Sequence, residues 1–311
     1  MKAAQISEYG GAQVLKFTED AVKPALGKSQ VMVAVNAAAA NPFDIKVREG
    51  LTQSMAALAF PATLGGDFAG VIVELGPEVT GFEIGQAVYG QAGALSGNGS
   101  FAEFTPAKAS SIAQKPESID FAEAAAFPLV TVSAYQALVD HMVIQPGQKI
   151  LIHGGAGGIG TMAIQLAHHF GAHVTTTSTA ADMEFVKSLG ADEVIDYKTQ
   201  DFAAMLSDMD AVYDTVGGET NQKSYGILKP GGVLVSMVMP VDEALVAEHD
   251  IKYTYQFTKV TTDRLQEVAK LIDAGNLKIN VDKVFPLENA AEALEYLKTD
   301  HPRGKVVIKV Q

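Results

Sequence analysis

The stretch LIHGGAGGIGTMAIQLA, residues 151–167, constrains the fold of this chain more than any other. Its start is typical of a β-strand and its end of a helix, and Gly155, Gly157 and Gly160 between them match G-x-G-x-x-G. Glycine lets the backbone turn tightly and approach a pyrophosphate, whose charge is favoured by free N–H groups at a helix start. The stretch therefore predicts a dinucleotide-binding loop; the alternative is that the glycines only allow close packing of strand and helix.

The pattern of apolar segments along the sequence changes near residue 120. Before it, short β-type runs such as VMVAVNAAAA and FAGVIVELG are separated by Gly, Pro and Asn, which is typical of a partly closed β-domain. After it, apolar strands alternate with helices, a pattern that predicts a parallel sheet. We therefore expect an α/β protein with a β-domain over residues 1–120 and a doubly wound parallel sheet over residues 121–280. The closing strand GKVVIKV can return to the first domain.

Composition narrows the classes of function. The chain has 311 residues, a formal net charge of -13 and no cysteine. Clustered Lys and Arg are missing, so we expect no nucleic-acid partner, and disulfides and thiolate-bound zinc are excluded. The first residues lack the apolar core of a signal peptide, and no apolar stretch is long enough to span a bilayer. These features predict a cytoplasmic protein without a membrane partner.

The end of the second strand of the α/β domain indicates which dinucleotide binds. NAD sites place an acid there, about 20 residues beyond the glycines, to bind the ribose 2′-OH. Here Ser178 and Thr179 occupy this place, and the nearest acid, Asp182, is expected to cap the next helix. A carboxylate about 4 Å from a 2′-phosphate costs on the order of 4 kcal/mol at intermediate dielectric. Hydroxyls avoid this repulsion, Tyr197 can pack on the adenine, and Lys198 can add charge. We predict NADPH rather than NADH.

Several further motifs, taken together with the glycine loop, are specific for one protein superfamily. They are AANPFDIKVREG, FPATLGGDFAGVIVELGPEVTGFEIGQAVYG, GSFAEF, SLGADEVIDY and RGKVVIKV. With them, nearly the whole sequence resembles the medium-chain dehydrogenase/reductase superfamily, in its zinc-independent quinone oxidoreductase and enone reductase branch. The resemblance implies an N-terminal GroES-like β-domain, completed by residues 281–311, and a central Rossmann domain. It also implies an active site in the cleft between them.

The resemblance also bears on zinc. In zinc-dependent members of the superfamily a cysteine stands at the position of Asn41 and a histidine at that of Gly66, and further cysteines hold a structural zinc. A zinc site needs three or four N or S ligands. The adjacent residues His168 and His169 cannot share a helix face, and Gly171 separates them from the next histidine. We therefore expect no metal, which argues against ordinary alcohol dehydrogenation.

A metal-free site can still reduce a quinone or a carbonyl-conjugated alkene, because charge then develops on an oxygen that a hydrogen-bond donor can stabilise. In NPFDIK, Asn41 can donate an amide N–H, Lys46 can offer an ammonium, and Asp44 can orient either one. Pro42 predicts that the segment turns from a strand into a short helix. The alternatives are a helix cap for Asp44 and a solvated surface position for Lys46. Water can deliver the proton.

Other cofactor contacts are implied by the resemblance, residue by residue. It places pyrophosphate on the glycine loop, the 2′-phosphate side at the end of the second strand, the nicotinamide region on the TVSAY segment, and a cofactor contact in HPRGK; for the last, a rim salt bridge is the alternative. Met183 departs from relatives that place a basic residue there. The implied cofactor-binding residues are Thr131, Ala156, Gly157, Gly158, Ile159, Ser178, Tyr197 and Arg303.

The sequence thus predicts a zinc-independent NADPH-dependent oxidoreductase whose partner is a small-molecule quinone or α,β-unsaturated carbonyl. An enoyl-thioester reductase is one alternative, and a non-catalytic NADPH-binding sensor or structural protein is another. The alternating aromatic residues of YTYQFTKV, residues 253–260, favour an edge strand, which in this family often pairs across a homodimer. An internal strand is the alternative.

Overall fold

The computed structural model describes residues 1–311 and divides by its internal contacts into two units. One comprises Met1–Leu129 and Val260–Gln311, and the other comprises Val130–Lys259. We call the first the β-unit and the second the Rossmann unit, because the second contains the parallel sheet described below.

Strand β3 (Gln30–Ala40) organises the β-unit. It pairs antiparallel with β5 (Asp67–Leu75) on one edge, and on the other with β7 (Phe104–Lys108) and β16 (Lys305–Lys309). The closing strand therefore returns to the first sheet, as expected. The other strands of this unit are β1 (Ala3–Ile6), β2 (Lys16–Thr18), β4 (Ala62–Thr63), β6 (Ala87–Gln91), β8 (Ile112–Gln114) and β15 (Val281–Pro286), and its helices are α1 (Pro42–Arg48), α2 (Phe121–Ala126), α9 (Thr262–Asp273) and α10 (Ala290–Thr299).

The Rossmann unit holds a six-stranded sheet in the order β11-β10-β9-β12-β13-β14, and every pair in it is parallel. This is the 3-2-1-4-5-6 order of dinucleotide-binding folds, whose ligands bind at the carboxyl ends of the strands. The predicted α/β fold class is confirmed. The strands are β9 (Lys149–Ile152), β10 (His173–Ser178), β11 (Glu193–Asp196), β12 (Met209–Asp214), β13 (Leu228–Ser236) and β14 (Lys252–Tyr255), and the helices are α3 (Pro128–Tyr135), α4 (Gly158–His169), α5 (Met183–Ser188), α6 (Phe202–Met205), α7 (Gly218–Ser224) and α8 (Glu243–His249).

The division into units differs from the limits expected at residues 120 and 280. Helix α2 packs on β3 and β5, and helix α9 packs on β8, so both helices belong to the β-unit. The hydroxyl of Tyr89 on β6 donates to the backbone oxygen of Leu265 on α9 at 2.6 Å. An apolar helix face does not reveal which of two sheets it covers. The alternation of strands and helices in the sequence therefore led us to expect both helices in the α/β domain.

Candidate active site

Asn41 lies where β3 turns into helix α1. Its backbone is extended, with φ -131° and ψ 152°, and Pro42 begins the helix. This follows from the sequence, because a residue before proline avoids the helical conformation. The Asp44 carboxylate accepts the backbone N–H of Asn41 at 2.8 Å. The helix-cap role given as the alternative for Asp44 is therefore present in the structure.

The side chain of Asn41 is held at both ends. Its Nδ2 donates to Asp67 Oδ2 at 2.9 Å, and its Oδ1 accepts from Lys305 Nζ at 2.5 Å. Lys305 Nζ also donates to the backbone oxygen of Ala40 at 2.8 Å. We call Asn41, Asp44, Asp67 and Lys305 the Asn41 cluster; all four side chains are buried.

Burial sets the electrostatics of the Asn41 cluster. It raises the pKa of Asp44 to about 7 and the pKa of Asp67 to about 6, because a charge loses its hydration inside the protein. Burial also lowers the pKa of Lys305, although the two nearby carboxylates oppose this shift. A cation near two acids of raised pKa allows the cluster to stay near neutral charge.

Lys46 lies outside this cluster. Its side chain is exposed on α1, whereas Asp44, two residues before it, is buried. Helical residues two positions apart point to nearly opposite sides of the helix, so Asp44 and Lys46 do not face one site. The lysine that contacts Asn41 is Lys305. Lys46, expected to offer an ammonium, lies on the exposed side of α1.

Sequence reasoning missed Asp67 and Lys305. Each is the first residue of an otherwise mostly apolar strand, β5 for Asp67 and β16 for Lys305. Charged residues are almost never fully buried unless paired, so a charge that opens a buried strand is a weak signal of a polar cluster. The pairing of both strands with β3 brings the two residues to Asn41, and no local pattern records that pairing.

The glycine loop joins β9 to α4, and its glycines serve two purposes. A Cβ at Gly155 would lie 2.2 Å from Thr176 Oγ1, and one at Gly160 would lie 2.2 Å from the backbone oxygen of Gly154. These two glycines allow the loop to pack against its own unit. A Cβ at Gly157 would meet nothing closer than 3.4 Å, and Gly157 is exposed. The space beside its Cα is therefore open to a ligand, while its N–H donates to the backbone oxygen of Gly154 at 3.1 Å.

Helix α4 fits an anion at its start. Gly157 is its N-cap, no side chain caps the first turn, and the first turn holds no acid. The first N–H groups of a helix have no partner within the helix, so this end can bind a phosphate. Four residues implied as pyrophosphate contacts surround this end: Ala156, Gly157, Gly158 and Ile159. The loop therefore fits a dinucleotide pyrophosphate.

Ser178 ends strand β10, as expected for the residue in place of an NAD-binding acid. Its hydroxyl donates to the backbone oxygen of Thr179 at 3.1 Å. Asp182 stands at the N-cap position of α5 but makes no cap hydrogen bond; its carboxylate accepts from the Thr179 hydroxyl at 2.6 Å. The expected helix-cap contact of Asp182 is therefore replaced by a contact with Thr179.

The neighbouring strand ends beside Ser178. Asp196 is paired with Ser178, and its carboxylate accepts from the Lys198 backbone N–H at 3.1 Å and the Thr199 hydroxyl at 3.0 Å. Tyr197, the next residue, is 58% exposed. The Asp196 carboxylate is thus bound within its own turn, while the Tyr197 ring is open for stacking.

Thr131 and Arg303 complete the residues implied as cofactor contacts. Thr131, on α3, is fully buried and its hydroxyl has no hydrogen-bond partner. Such orphaned groups are rare, and the Thr131 hydroxyl is therefore a candidate hydrogen-bond partner for a ligand. Arg303 is exposed, and its backbone N–H donates to Asp282 Oδ1 at 3.3 Å.

The side chains offer no donor set for a metal ion. No three His, Cys, Asp or Glu side chains of residues 1–311 form a group that could hold a metal ion. Around Asn41 the side chains supply an amide, carboxylates and an ammonium, and an ammonium cannot ligate. The residues present do not fit zinc. Separately, no helix is long and apolar enough to cross a membrane.

Two family descriptions match the chain: an alcohol dehydrogenase GroES-like domain over residues 27–117 and a zinc-binding dehydrogenase over residues 189–308. A 2-methylene-furan-3-one reductase of Solanum lycopersicum is 36% identical over 318 residues, covering 99% of this chain and 79% of the relative. A chloroplastic NADPH-dependent alkenal/one oxidoreductase of Arabidopsis thaliana is also 36% identical, with the same coverage.

Among solved structures, the quinone oxidoreductase from Coxiella burnetii superimposes with a TM-score of 0.92 and 35% sequence identity. The match covers 100% of this chain and 99% of that one. The GroES-like match, the parallel sheet order and the similarity to these reductases over nearly all of this chain agree with one another. The chain therefore belongs to the medium-chain dehydrogenase/reductase superfamily, in its quinone oxidoreductase branch.

Proposed function

We propose that this chain is an NADPH-dependent oxidoreductase that reduces quinones or α,β-unsaturated carbonyl compounds without a metal. The observation that carries the proposal is the start of α4, which no side chain caps and which has open space beside Gly157. It lies on a sheet whose second strand ends in Ser178 instead of an acid. The names of the relatives, an alkenal/one oxidoreductase and a quinone oxidoreductase, support the same class of reaction.

On the cofactor side, we assign the pyrophosphate to the loop N–H groups before and within the start of α4. Ser178 faces the 2′-phosphate without repelling it, and the exposed ring of Tyr197 stacks on the adenine. The unpartnered hydroxyl of Thr131 donates to the nicotinamide carboxamide. Arg303 is proposed as a further contact. NADPH, when bound, supplies the hydride.

On the acceptor side, we assign the hydrogen bond to the carbonyl or quinone oxygen to Asn41. One hydrogen of its Nδ2 is committed to Asp67, and the other faces the backbone oxygen of Ala39 at 3.4 Å, a long contact. That second hydrogen can stabilise the negative charge that forms on the acceptor oxygen. Asp44 fixes the backbone of Asn41. Lys46 is given no contact with the reacting atoms, because its side chain is exposed on α1.

Zinc independence is part of the proposal. A family description that matches this chain is named for zinc, but the chain has no cysteine. The resemblance implies that Asn41 and Gly66 stand at the positions of a cysteine and a histidine in zinc-dependent members. Reduction of an activated alkene or quinone needs only a hydride donor and hydrogen bonds to the developing anion. Activity that survives dialysis against a chelator supports this point, and loss of activity that zinc restores contradicts it.

The deciding experiment follows the oxidation of NADPH and NADH in parallel, with a quinone, an enone and an enoyl thioester as acceptors. Turnover of the quinone or enone with NADPH supports the proposal. Preference for the enoyl thioester indicates an enoyl-thioester reductase instead. NADPH binding without turnover of any acceptor indicates a sensor or structural protein.

We also propose a homodimer joined through β14, which is the edge strand of the parallel sheet as predicted. Tyr255 and Phe257 are exposed beside this edge with their rings 4.8 Å apart. An open edge with exposed aromatic rings favours pairing with a second sheet. Light scattering coupled to gel filtration measures the mass.

We also propose a cytoplasmic location for this chain. The Arabidopsis relative is named as chloroplastic, so cell fractionation is the test of this location.

A further inference from the structure

Lys305 is an unusual residue for the inside of a protein. It opens strand β16, and its side chain is 3% exposed. Its neighbour in the chain, Val306, pairs with Ala40, which places Lys305 beside the end of β3 and beside Asn41. Lysine is almost never fully buried without partners that compensate for lost hydration. The partners of Lys305 therefore reveal what the buried charge does.

Those partners fix the orientation of one amide. Lys305 Nζ can only donate, so the Asn41 atom 2.5 Å away must be the amide oxygen. Asp67 Oδ2, on the opposite side, accepts from the Asn41 nitrogen at 2.9 Å. Exchange of oxygen and nitrogen would set a donor against the ammonium and an acceptor against the carboxylate. The Asn41 amide therefore has a single stable orientation.

Charge balance explains why this arrangement is tolerated. The Asp44 and Asp67 carboxylates attract the Lys305 ammonium, and the same burial that raises their pKa values lowers that of Lys305. A buried cation without these partners would be strongly destabilising. Lys305 Nζ also donates to the backbone oxygen of Ala40 at 2.8 Å, so part of its role is structural. The contact with Asn41 Oδ1 adds something that neutral packing cannot supply.

We propose that Lys305 is a positioning residue of the reductase: it holds the Asn41 amide so that the N–H side stays available to the acceptor oxygen. Lys305 does not touch the reacting atoms and acts through Asn41. The inference rests on the proposed function, because it assumes that Asn41 binds the acceptor oxygen.

The test uses two double variants that keep the buried charge balanced. Asp67→Asn retains an oxygen that accepts from Asn41 Nδ2 and removes one negative charge. Combined with it, Lys305→Met removes the donor to Asn41 Oδ1, whereas Lys305→Gln offers a neutral N–H donor in its place. D67N alone is their common reference. Thermal unfolding of all three verifies that each is folded.

We expect kcat to fall by roughly ten- to a hundredfold in K305M/D67N, because a misplaced hydrogen-bond donor loses catalytic geometry. K305Q/D67N should recover part of that loss. The Kd for NADPH, followed by cofactor fluorescence, should stay at the D67N value in both. With NADPH deuterated at the transferred position, the isotope effect on kcat should rise in K305M/D67N, because hydride transfer becomes slower than the other steps.

Equal losses in the two double variants, or a kcat for K305M/D67N equal to that of D67N, overturn the inference. If K305M/D67N does not fold, Lys305→Arg decides: it keeps the charge but sets a larger planar group against Asn41. A lowered kcat with unchanged NADPH Kd then supports the inference, and a wild-type kcat overturns it. Failure of the wild-type protein to turn over any acceptor overturns the proposed function instead.

Discussion

The imidazole of His153 and the hydroxyl of Thr177 lie 3.3 Å apart, at the ends of two neighbouring strands of the Rossmann unit. Thr177 Oγ1 in turn accepts the backbone N–H of Gly154 at 3.1 Å. On its other side, His153 Nε2 lies 3.0 Å from Ser224 Oγ, which donates to the backbone oxygen of Thr220. Ser224 must therefore accept from Nε2–H, and Nδ1 accepts from Thr177. This chain of hydrogen bonds fixes the entry to the glycine loop.

His153→Leu removes both ring nitrogens from this buried network. We expect the free energy of unfolding to fall by about 2 kcal/mol, because two hydroxyl groups lose a partner, and the Kd for NADPH to rise because Gly154 is less well held. Urea unfolding and fluorescence titration measure the two effects. His173→Leu, on the exposed side of β10, is the control and should leave the NADPH Kd unchanged.

The effect of His153→Leu should also depend on pH. Burial lowers the pKa of His153 to about 4. Since the folded state binds this proton less readily than the unfolded state, the stability from neutral His153 is present above pH 6.5 and is lost as pH falls towards 4. The stability difference between wild type and H153L should therefore shrink from pH 7 to pH 5. A difference that grows over this range contradicts the assignment.

For Asp44, in the β-unit, we expect the opposite dependence of stability on pH. Burial raises its pKa from 3.8 to about 7, so the folded state binds the proton more readily. Its favourable contribution is complete below pH 3.8 and is lost as pH rises through about 7. Asp44→Asn keeps an oxygen for the Asn41 N–H and stays neutral. Relative to wild type, D44N should gain stability from pH 5 to pH 8 in urea unfolding.

The control for Asp44 is Asp120→Asn. Asp120 also accepts a backbone N–H at a helix start, from Glu123 at 2.8 Å, but it is exposed. D120N therefore controls for the loss of a carboxylate at a helix start without the effect of burial. A difference between D44N and wild type that does not change with pH would contradict the raised pKa of the buried Asp44 carboxyl.

Ser178→Asp tests the cofactor preference. A carboxylate at the end of β10 repels a 2′-phosphate by on the order of 4 kcal/mol at intermediate dielectric and can accept from a ribose 2′-OH. We expect NADPH to bind roughly a hundredfold or more weakly, and NADH to bind as well as before or better. Titration of both cofactors measures the change. Ser188→Asp adds the same charge on the exposed face of α5 and should leave the ratio of the two Kd values unaltered.

The parts of this architecture that were predictable are those with local signals. Gly155, Gly157 and Gly160 mark a strand-to-helix turn within one continuous segment, and Pro42 determines where α1 begins. The parallel sheet follows from alternating strands and helices. These features depend on residues close together in the chain, so their pattern survives in the sequence.

The Asn41 cluster was only half predictable because it depends on distant pairing. Asn41 and Asp44 share one motif, but Lys305 reaches them through the antiparallel pairing of β16 with β3, across most of the chain. The sequence offered Lys46 as the ammonium, because it belongs to the same NPFDIK motif as Asn41. Helical geometry turns Lys46 outward instead. The identity of the buried cation is therefore a property of the tertiary structure.

Phe257→Glu tests the proposed dimer. Phe257 is 61% exposed beside the edge strand β14. If two β14 edges pair, a carboxylate at this position would be buried without a partner. The F257E dimer should therefore dissociate at a higher protein concentration than the wild-type dimer. Sedimentation velocity over a concentration series measures this. Val22→Glu, at an exposed position of the β-unit, is the control for added charge. A wild type that is monomeric at all concentrations removes the basis for the proposal.

Gly157→Ala and Gly160→Ala separate the two uses of glycine in the loop. A methyl group at Gly160 would lie 2.2 Å from the backbone oxygen of Gly154, so the loop must shift and G160A should lose both stability and NADPH affinity. At Gly157 the nearest atom is 3.4 Å away, so G157A should unfold at the wild-type temperature. It should nevertheless bind NADPH more weakly, because the methyl group occupies space that the pyrophosphate needs against the start of α4. Calorimetry and fluorescence titration distinguish the outcomes. Unchanged NADPH affinity in G157A would mean that the pyrophosphate does not approach this backbone.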